Sequence, residues 1–150
     1  TGHNEMAVYS ERSDDWLNNM ARLNAKLETA KNTCLPKDAI DYDDSKSVGI
    51  ISFGTNDPAI LEARDVLEAQ GLETNYLRVR SLPLQDSVKD FVFKHDTIYV
   101  LENNYDGQLN QIMRIDYPED MTHVKSLTLG DGLPMTARWI IESINEQEAN

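Results

Sequence analysis

The sequence predicts a three-layer α/β domain with a mainly parallel sheet, and three observations predict it. From Val48 onward, short apolar runs alternate with segments whose apolar residues recur at three- and four-residue steps. One run, Ile98 to Leu101, is apolar on both faces, the mark of an interior parallel strand between two helix layers. That run passes directly into Glu102-Asn103-Asn104, polar side chains placed where open α/β sheets keep their ligands and contacts.

The elements follow in order. Residues 1–47 are polar, Asn-rich and acidic, with a single helix signal. Trp16, Met20, Leu23, Leu27 and Ala30 form one stripe and predict an amphipathic helix over 14–31. Ser13 is its expected cap, and Asp14 and Asp15 suit the positive end of its dipole. Such a helix has nothing of its own to bury against, so it should dock on the following domain or on another chain. Pro36 ends regular structure, and residues 37–46, with Asp38, Asp41, Asp43, Asp44 and Lys46, read as a solvated connector. The boundary therefore falls at 47/48, with a connector over 1–47 and the α/β domain over 48–150.

Within that domain the first strand is Val48 to Phe53, followed by Gly54-Thr55-Asn56. Asp57 is the expected cap of the next helix, with Pro58 in its first turn, where a missing N–H costs nothing. Ala59, Ile60, Ala63, Val66 and Leu67 form the buried face, and Gly71 supplies a left-handed stop. Tyr76 to Leu82 is a strand with Leu77 and Val79 on one face and Arg78 and Arg80 on the other. Helices over 86–94, 107–115 and 134–144, and a fourth strand over 124–129, complete the pattern. Right-handed crossovers would place helices on both faces of the sheet.

Composition bounds the function. A chain of 150 residues suffices for one domain, which at that size buries roughly 70% of its unfolded surface. Hydrophobic residues at 40% and charged residues at 27% are ordinary globular values. No apolar run approaches the ~20 residues that span a bilayer, and no signal peptide is visible. A net charge of −12 opposes nucleic acid as a partner, since phosphate binding needs a basic footprint. The single Cys34 rules out an internal disulfide and fits a reducing cytoplasm. The absence of a Met at the start points to a piece of something longer.

The chemical motifs are sparse. Gly49 and Gly54 do not make a dinucleotide fingerprint or a P-loop. His3, His95 and His123 fall at unrelated spacings, without a metal-ligand pattern, and no G-x-S-x-G elbow is present. Gly130-Asp131-Gly132 matches the start of the thiamine-diphosphate signature, but the Asn pair that completes it does not follow. A receiver-domain reading fails because the strand before the Asn pair ends in Glu102 and the first strand lacks the acidic pair. Arg78 and Arg80 could clamp a carboxylate or phosphate, pair with surface carboxylates, or form an interdomain ion pair.

Three segments carry a resemblance. Gly49-Ile-Ile-Ser-Phe-Gly-Thr with Leu61 to Gly71, then Leu77-Arg-Val-Arg-Ser-Leu-Pro83, then Leu101-Glu-Asn-Asn-Tyr-Asp-Gly-Gln-Leu109 resemble the transketolase C-terminal-like domain. The last is the most specific, matching an E-x-N-x-x-G-Q-L loop. More narrowly, the chain resembles the C-terminal part of the alpha subunit of 2-oxoacid:ferredoxin (acceptor) oxidoreductases. Thr1 to Glu5, Trp16 and Met20 to Glu28 are similar to the connector of the 2-oxoglutarate type.

The resemblance implies a complete enzyme that oxidatively decarboxylates a 2-oxoacid with coenzyme A, using thiamine diphosphate, Mg and iron–sulfur clusters and passing electrons to ferredoxin. It implies upstream domains of the same subunit and a thiamine- and iron–sulfur-binding beta subunit as partners. No cofactor is expected in this chain, whose own part would be assembly. The expected interface is a polar rim at the carboxyl ends of the strands: Thr55, Asn56, Arg78, Arg80, Glu102, Asn103, Asn104 and Asp131. The contrasting readings are a freestanding α/β module whose rim holds a small anionic ligand, and an unrelated enzyme using Glu102.

Overall fold

The computed structural model of the protein describes residues 2–119 and 121–149. They belong to two compact units, Thr1–Pro36 and Lys37–Asn150.

In the first unit, helix α1 spans Ser13–Thr33. Ahead of it the chain doubles back through a bridge between His3 and Tyr9. Asn4 holds this turn, its Oδ1 accepting from the Met6 and Val8 N–H groups at 3.0 and 3.1 Å. The buried residue of α1 is Asn19, whose Nδ2 donates to the His3 carbonyl. Ser13 does not cap the helix: Arg12 is the extended cap residue, and Ser13 already lies in the first turn. Trp16, Leu23 and Leu27 are exposed, so the apolar stripe that defines the helix remains open to solvent.

The second unit is built on five strands: β1 Ala39–Asp41, β2 Val48–Phe53, β3 Thr74–Val79, β4 Thr97–Glu102 and β5 Val124–Thr128. Their order is β1-β3-β2-β4-β5; β2 to β5 run parallel, and β1 lies antiparallel on β3. Helices α2 Asp57–Ala69, α3 Asp86–Phe93, α4 Gln108–Asp116 and α5 Ala137–Glu148 complete the three layers. Strand alternation sorts the core. Ile51, Leu77, Val79, Ile98 and Val100 face α3 and α4, burying Val88, Phe91, Val92, Leu109 and Met113. Ile50, Tyr76, Tyr99 and Leu101 face α2 and α5 and bury Ile60, Ala63, Leu67, Ile140 and Ile144. The β2-to-β3 step moves one way and the β3-to-β4 step the other, so crossovers of one hand put α2 and α3 on opposite faces.

Residues 37–46 are largely exposed, but they group with the α/β unit rather than with the preceding helix, and the unit boundary lies at 36/37 rather than 47/48. Three of them form β1, with Ile40 opposite Leu77. Composition hides this strand because its pairing uses backbone groups, and three residues are too few to show a period. The loop after β1 is latched by Asn75, which is buried on β3. Its Oδ1 accepts from the Asp43 N–H at 2.8 Å and its Nδ2 donates to the Asp43 carbonyl at 3.0 Å. Other boundaries move less. The closing helix starts at Ala137, not 134, because Thr136 is its cap and accepts from the Trp139 N–H at 3.3 Å. Asp57 is the first residue of α2 rather than its cap, which is Asn56.

The same latch contains a buried histidine. His95 lies 2.6 Å from the Phe91 carbonyl through Nδ1 and 2.8 Å from Asn75 Nδ2 through Nε2. A carbonyl only accepts and an amide NH₂ only donates, so the ring is neutral with its proton on Nδ1. Burial lowers its pKa. The folded state then binds fewer protons than the unfolded one, and the contribution is complete above the unfolded value and lost as pH falls. Unfolding free energy should decline as pH drops below about 6.5, by at most about 1.4 kcal/mol per pH unit for this one proton. A His95→Gln variant should lack that increment in urea titrations across the range; equal slopes in the two proteins would contradict the assignment.

Candidate functional site at the carboxyl edge

The reversal of strand order places the switch point at the carboxyl ends of β2 and β4, where open α/β sheets form their crevice. Glu102 ends β4 there and is fully buried. Its Oε2 accepts from the Leu109 N–H at 2.6 Å and from Asn104 Nδ2 at 3.0 Å, and its Oε1 from the Asn110 N–H at 3.0 Å. The carboxylate thus fills the positive N-terminus of α4, the position an external anion would otherwise take. Asn104 Oδ1 accepts from the Gly107 N–H at 2.8 Å. Gly107 takes φ 67°, a left-handed conformation, and a Cβ there would stand 2.8 Å from Ser126 Oγ. The Glu, Asn, Gly and Leu of the E-x-N-x-x-G-Q-L pattern therefore build a self-capped loop. The intervening Asn103, Tyr105 and Asp106 are left exposed.

At the first residue of α2, the Asp57 side chain is engaged by the neighbouring strand β3. Asp57 Oδ2 pairs with Arg78 Nη1 at 3.1 Å, and its Oδ1 accepts from the Tyr76 hydroxyl at 3.0 Å. Burial, followed by the neighbouring Asp57 carboxylate, pushes the Tyr76 phenol up. Arg78 Nη2 reaches the Gly54 carbonyl at 3.0 Å. Asn56 is buried and donates to Ser52 Oγ at 3.2 Å, while that hydroxyl donates to the Leu101 carbonyl at 2.6 Å.

The expected rim is thus divided. Glu102 and Asn56 are buried and satisfied internally, so neither presents itself to a partner. Thr55, Asn103 and Asp131 are exposed, and Asn104 is half-buried. Asp131 Oδ1 accepts from the Leu133 N–H at 2.9 Å, shaping its own loop. Arg78 and Arg80 do not form a two-armed clamp. The strand stops at Val79, alternation stops with it, and Arg80 lines a different surface from Arg78. With every Glu102 contact turned inward, the reading as an enzyme that uses this carboxylate has no open acid or base to work with.

The expectation of a rim with little apolar surface is corrected too. Beside Arg80 lies an open groove of about 440 Å³, lined by Phe53, Val79, Leu82, Leu109 and Ile112. Phe53 is 39% and Leu82 54% exposed, and further along the edge Tyr105 is 84% and Leu133 64% exposed. Gly130 carries the Tyr105 loop: a Cβ there would lie 2.8 Å from Tyr105 Cα. Leu82, Tyr105 and Leu133 were findable as large apolar residues lodged in turn-rich segments, where no strand or helix period could take them inward.

Strand order and helix placement give the chain the transketolase C-terminal-like α/β fold. No family model matches the sequence. Among solved structures the chain is similar to the 2-oxoglutarate:ferredoxin oxidoreductase of Magnetococcus marinus, a structure with 2-oxoglutarate, coenzyme A and succinyl-CoA bound. The TM-score is 0.80 at 21% identity, over 97% of this chain and 25% of that one. A split-gene transketolase, an inactive β4 tetramer, matches with a TM-score of 0.57 and 19% identity over 73% of this chain and 40% of its own. The alpha chain of a probable 2-oxoacid ferredoxin oxidoreductase from Thermoplasma acidophilum gives 0.50 and 20%, over 76% and 98%. This chain therefore spans a quarter of the length of the first of these proteins.

Proposed function

We propose that the chain is the C-terminal α/β domain of the alpha subunit of a 2-oxoacid:ferredoxin oxidoreductase, of the 2-oxoglutarate type, serving assembly and domain contacts. What carries this reading is the likeness of 97% of the chain to part of one such enzyme, combined with the complete E-x-N-x-x-G-Q-L loop at its switch point. In the complete complex, thiamine diphosphate with Mg and iron–sulfur clusters supply decarboxylation and electron transfer, coenzyme A takes the acyl group and ferredoxin the electrons. The donor set here fits neither group: iron–sulfur clusters need about four cysteine ligands against a single Cys34, and the Asn pair that completes the thiamine-diphosphate signature does not follow Gly132. Those groups belong to the upstream domains and the beta subunit. No helix among the described residues is long and apolar enough to cross a membrane. A cytoplasmic complex is part of the proposed reading, resting on the family resemblance.

The exposed part of the carboxyl edge, with Thr55, Arg80, Asn103, Asn104 and Asp131, is the surface assigned to the other domains. The freestanding anion-binding alternative loses ground because Glu102 already occupies the start of α4. Arg80→Glu is the cleaner probe, since Arg80 is exposed whereas Arg78 holds Asp57. In the complete enzyme Arg80→Glu should reduce assembled, active complex about ten-fold, the scale of a reversed interface charge, while the melting temperature of the 150-residue chain stays unchanged. Normal assembly and full activity would sink the interface reading.

A further inference from the structure

We propose that the groove beside Arg80 seats an apolar side chain followed by a carboxylate, carried on a neighbouring polypeptide; this rests on the reading of the chain as one domain of a larger enzyme. The floor is Val79 and Leu109, and Phe53 and Leu82 stand half-open on either side. Arg80 supplies the charge. Its guanidinium makes no ion pair among the described residues, and its side-chain contact is the Lys37 carbonyl at 3.4 Å. Arg12, Arg64 and Arg78, by contrast, are held by Asp14, Asp41 and Asp57. The Asp38 carboxylate is taken up by the Arg80 N–H and the Ser87 hydroxyl, so a guanidinium with no ion pair of its own at an apolar groove selects a carboxylate.

A polypeptide fits better than a free small acid. The groove is open, and exposed apolar surface continues on the same edge at Tyr105 and Leu133, which a small ligand would leave wet. Tyr105 stands on a loop pinned by Asn104 and by Gln111, whose Nε2 donates to the Asp106 carbonyl at 2.7 Å. A rigidly presented aromatic loses little freedom on contact and suits an interface anchor. A polyanion such as nucleic acid needs a footprint of several cations, whereas among the described residues Arg80 is the one cation lining the groove.

The test uses the ¹⁵N-labelled 150-residue chain titrated with N-acetyl-Phe-Asp-amide, compared with N-acetyl-Phe-Asn-amide and N-acetyl-Ala-Asp-amide. Amide shifts should cluster on Val79, Arg80, Leu82, Leu109 and Ile112, with both comparison dipeptides binding more weakly. The loss with Phe-Asn should be about five-fold, the effect an exposed ion pair supplies. Arg80→Gln should erase the Phe-Asp over Phe-Asn preference, and Leu82→Ser should weaken both. Scattered or absent shifts, or a preference that survives Arg80→Gln, overturn the proposal whatever Arg80→Glu does in the complete enzyme. Groove-localised, Arg80-dependent binding upholds it even where that enzyme assembles normally, an outcome that would count against the larger reading alone.

Discussion

Replacing Glu102 by Ala should lower the unfolding free energy by about 4 kcal/mol. The substitution leaves the buried Leu109 N–H, the half-buried Asn110 N–H and the Asn104 amide without this acceptor. Hydrogen bonds to a charged group contribute about 1.5–3 kcal/mol each, and orphaned buried donors carry their full desolvation cost. The removed side chain also leaves space at the foot of α4. Glu102→Gln keeps the shape and one acceptor oxygen but loses the charge at the helix N-terminus, so its cost should be about 1–2 kcal/mol. Urea unfolding of the two variants beside the parent chain measures both. If Glu102→Ala costs under about 1 kcal/mol, less than one such charged bond is worth, the carboxylate does not hold the loop.

Gly49→Val should be nearly as damaging, for a steric reason. A Cβ built at Gly49 falls 2.6 Å from Ile98 Cδ1 and 2.7 Å from Phe91 Cε1, in the core between β2, β4 and α3. Valine adds two methyl groups to that collision, and overpacking of this kind costs about 1–3 kcal/mol, occasionally more. Phe91→Leu removes part of the obstruction, so the double variant should be more stable than the sum of the two single losses predicts. Strict additivity in denaturant midpoints would show that the ring and the glycine do not share this space.

The fold was legible where periodicity is enforced by burial on both sides. Ile98 to Leu101, Ile60, Ala63 and Leu67 of α2, and the Leu77/Val79 alternation found their places because a one-residue slip would put polar groups into a layer of core. Val66, expected on the same α2 face, is exposed. β1 was not legible, since its three residues are exposed and its reason for being a strand is the free edge of β3. The site was legible in location but not in role. Polar residues after strands locate the carboxyl edge, but whether a carboxylate there faces solvent or turns back onto a helix start depends on how the next loop returns. Glu102 turns back because Asn104 and Gly107 bring the Leu109 and Asn110 amides within reach. Arg78 and Arg80 shared a face on paper, yet the strand ends between them.

The three residues of β1 also bear on how the molecule avoids its own kind. A bare β3 would offer an outer row of unpaired amides and carbonyls, a template on which a second copy could lay a strand and start a chain of adhesion. β1 converts that row into an edge only three residues long, running the opposite way. Its last residue, Asp41, is bound at 2.8 Å to Arg64 and sets a charge at the border. A stub that short, ending in a charge, is a poor seed for cross-β growth. The acidic segment that reads in sequence as mere tether is thus the fold's protection against aggregation along its most vulnerable side.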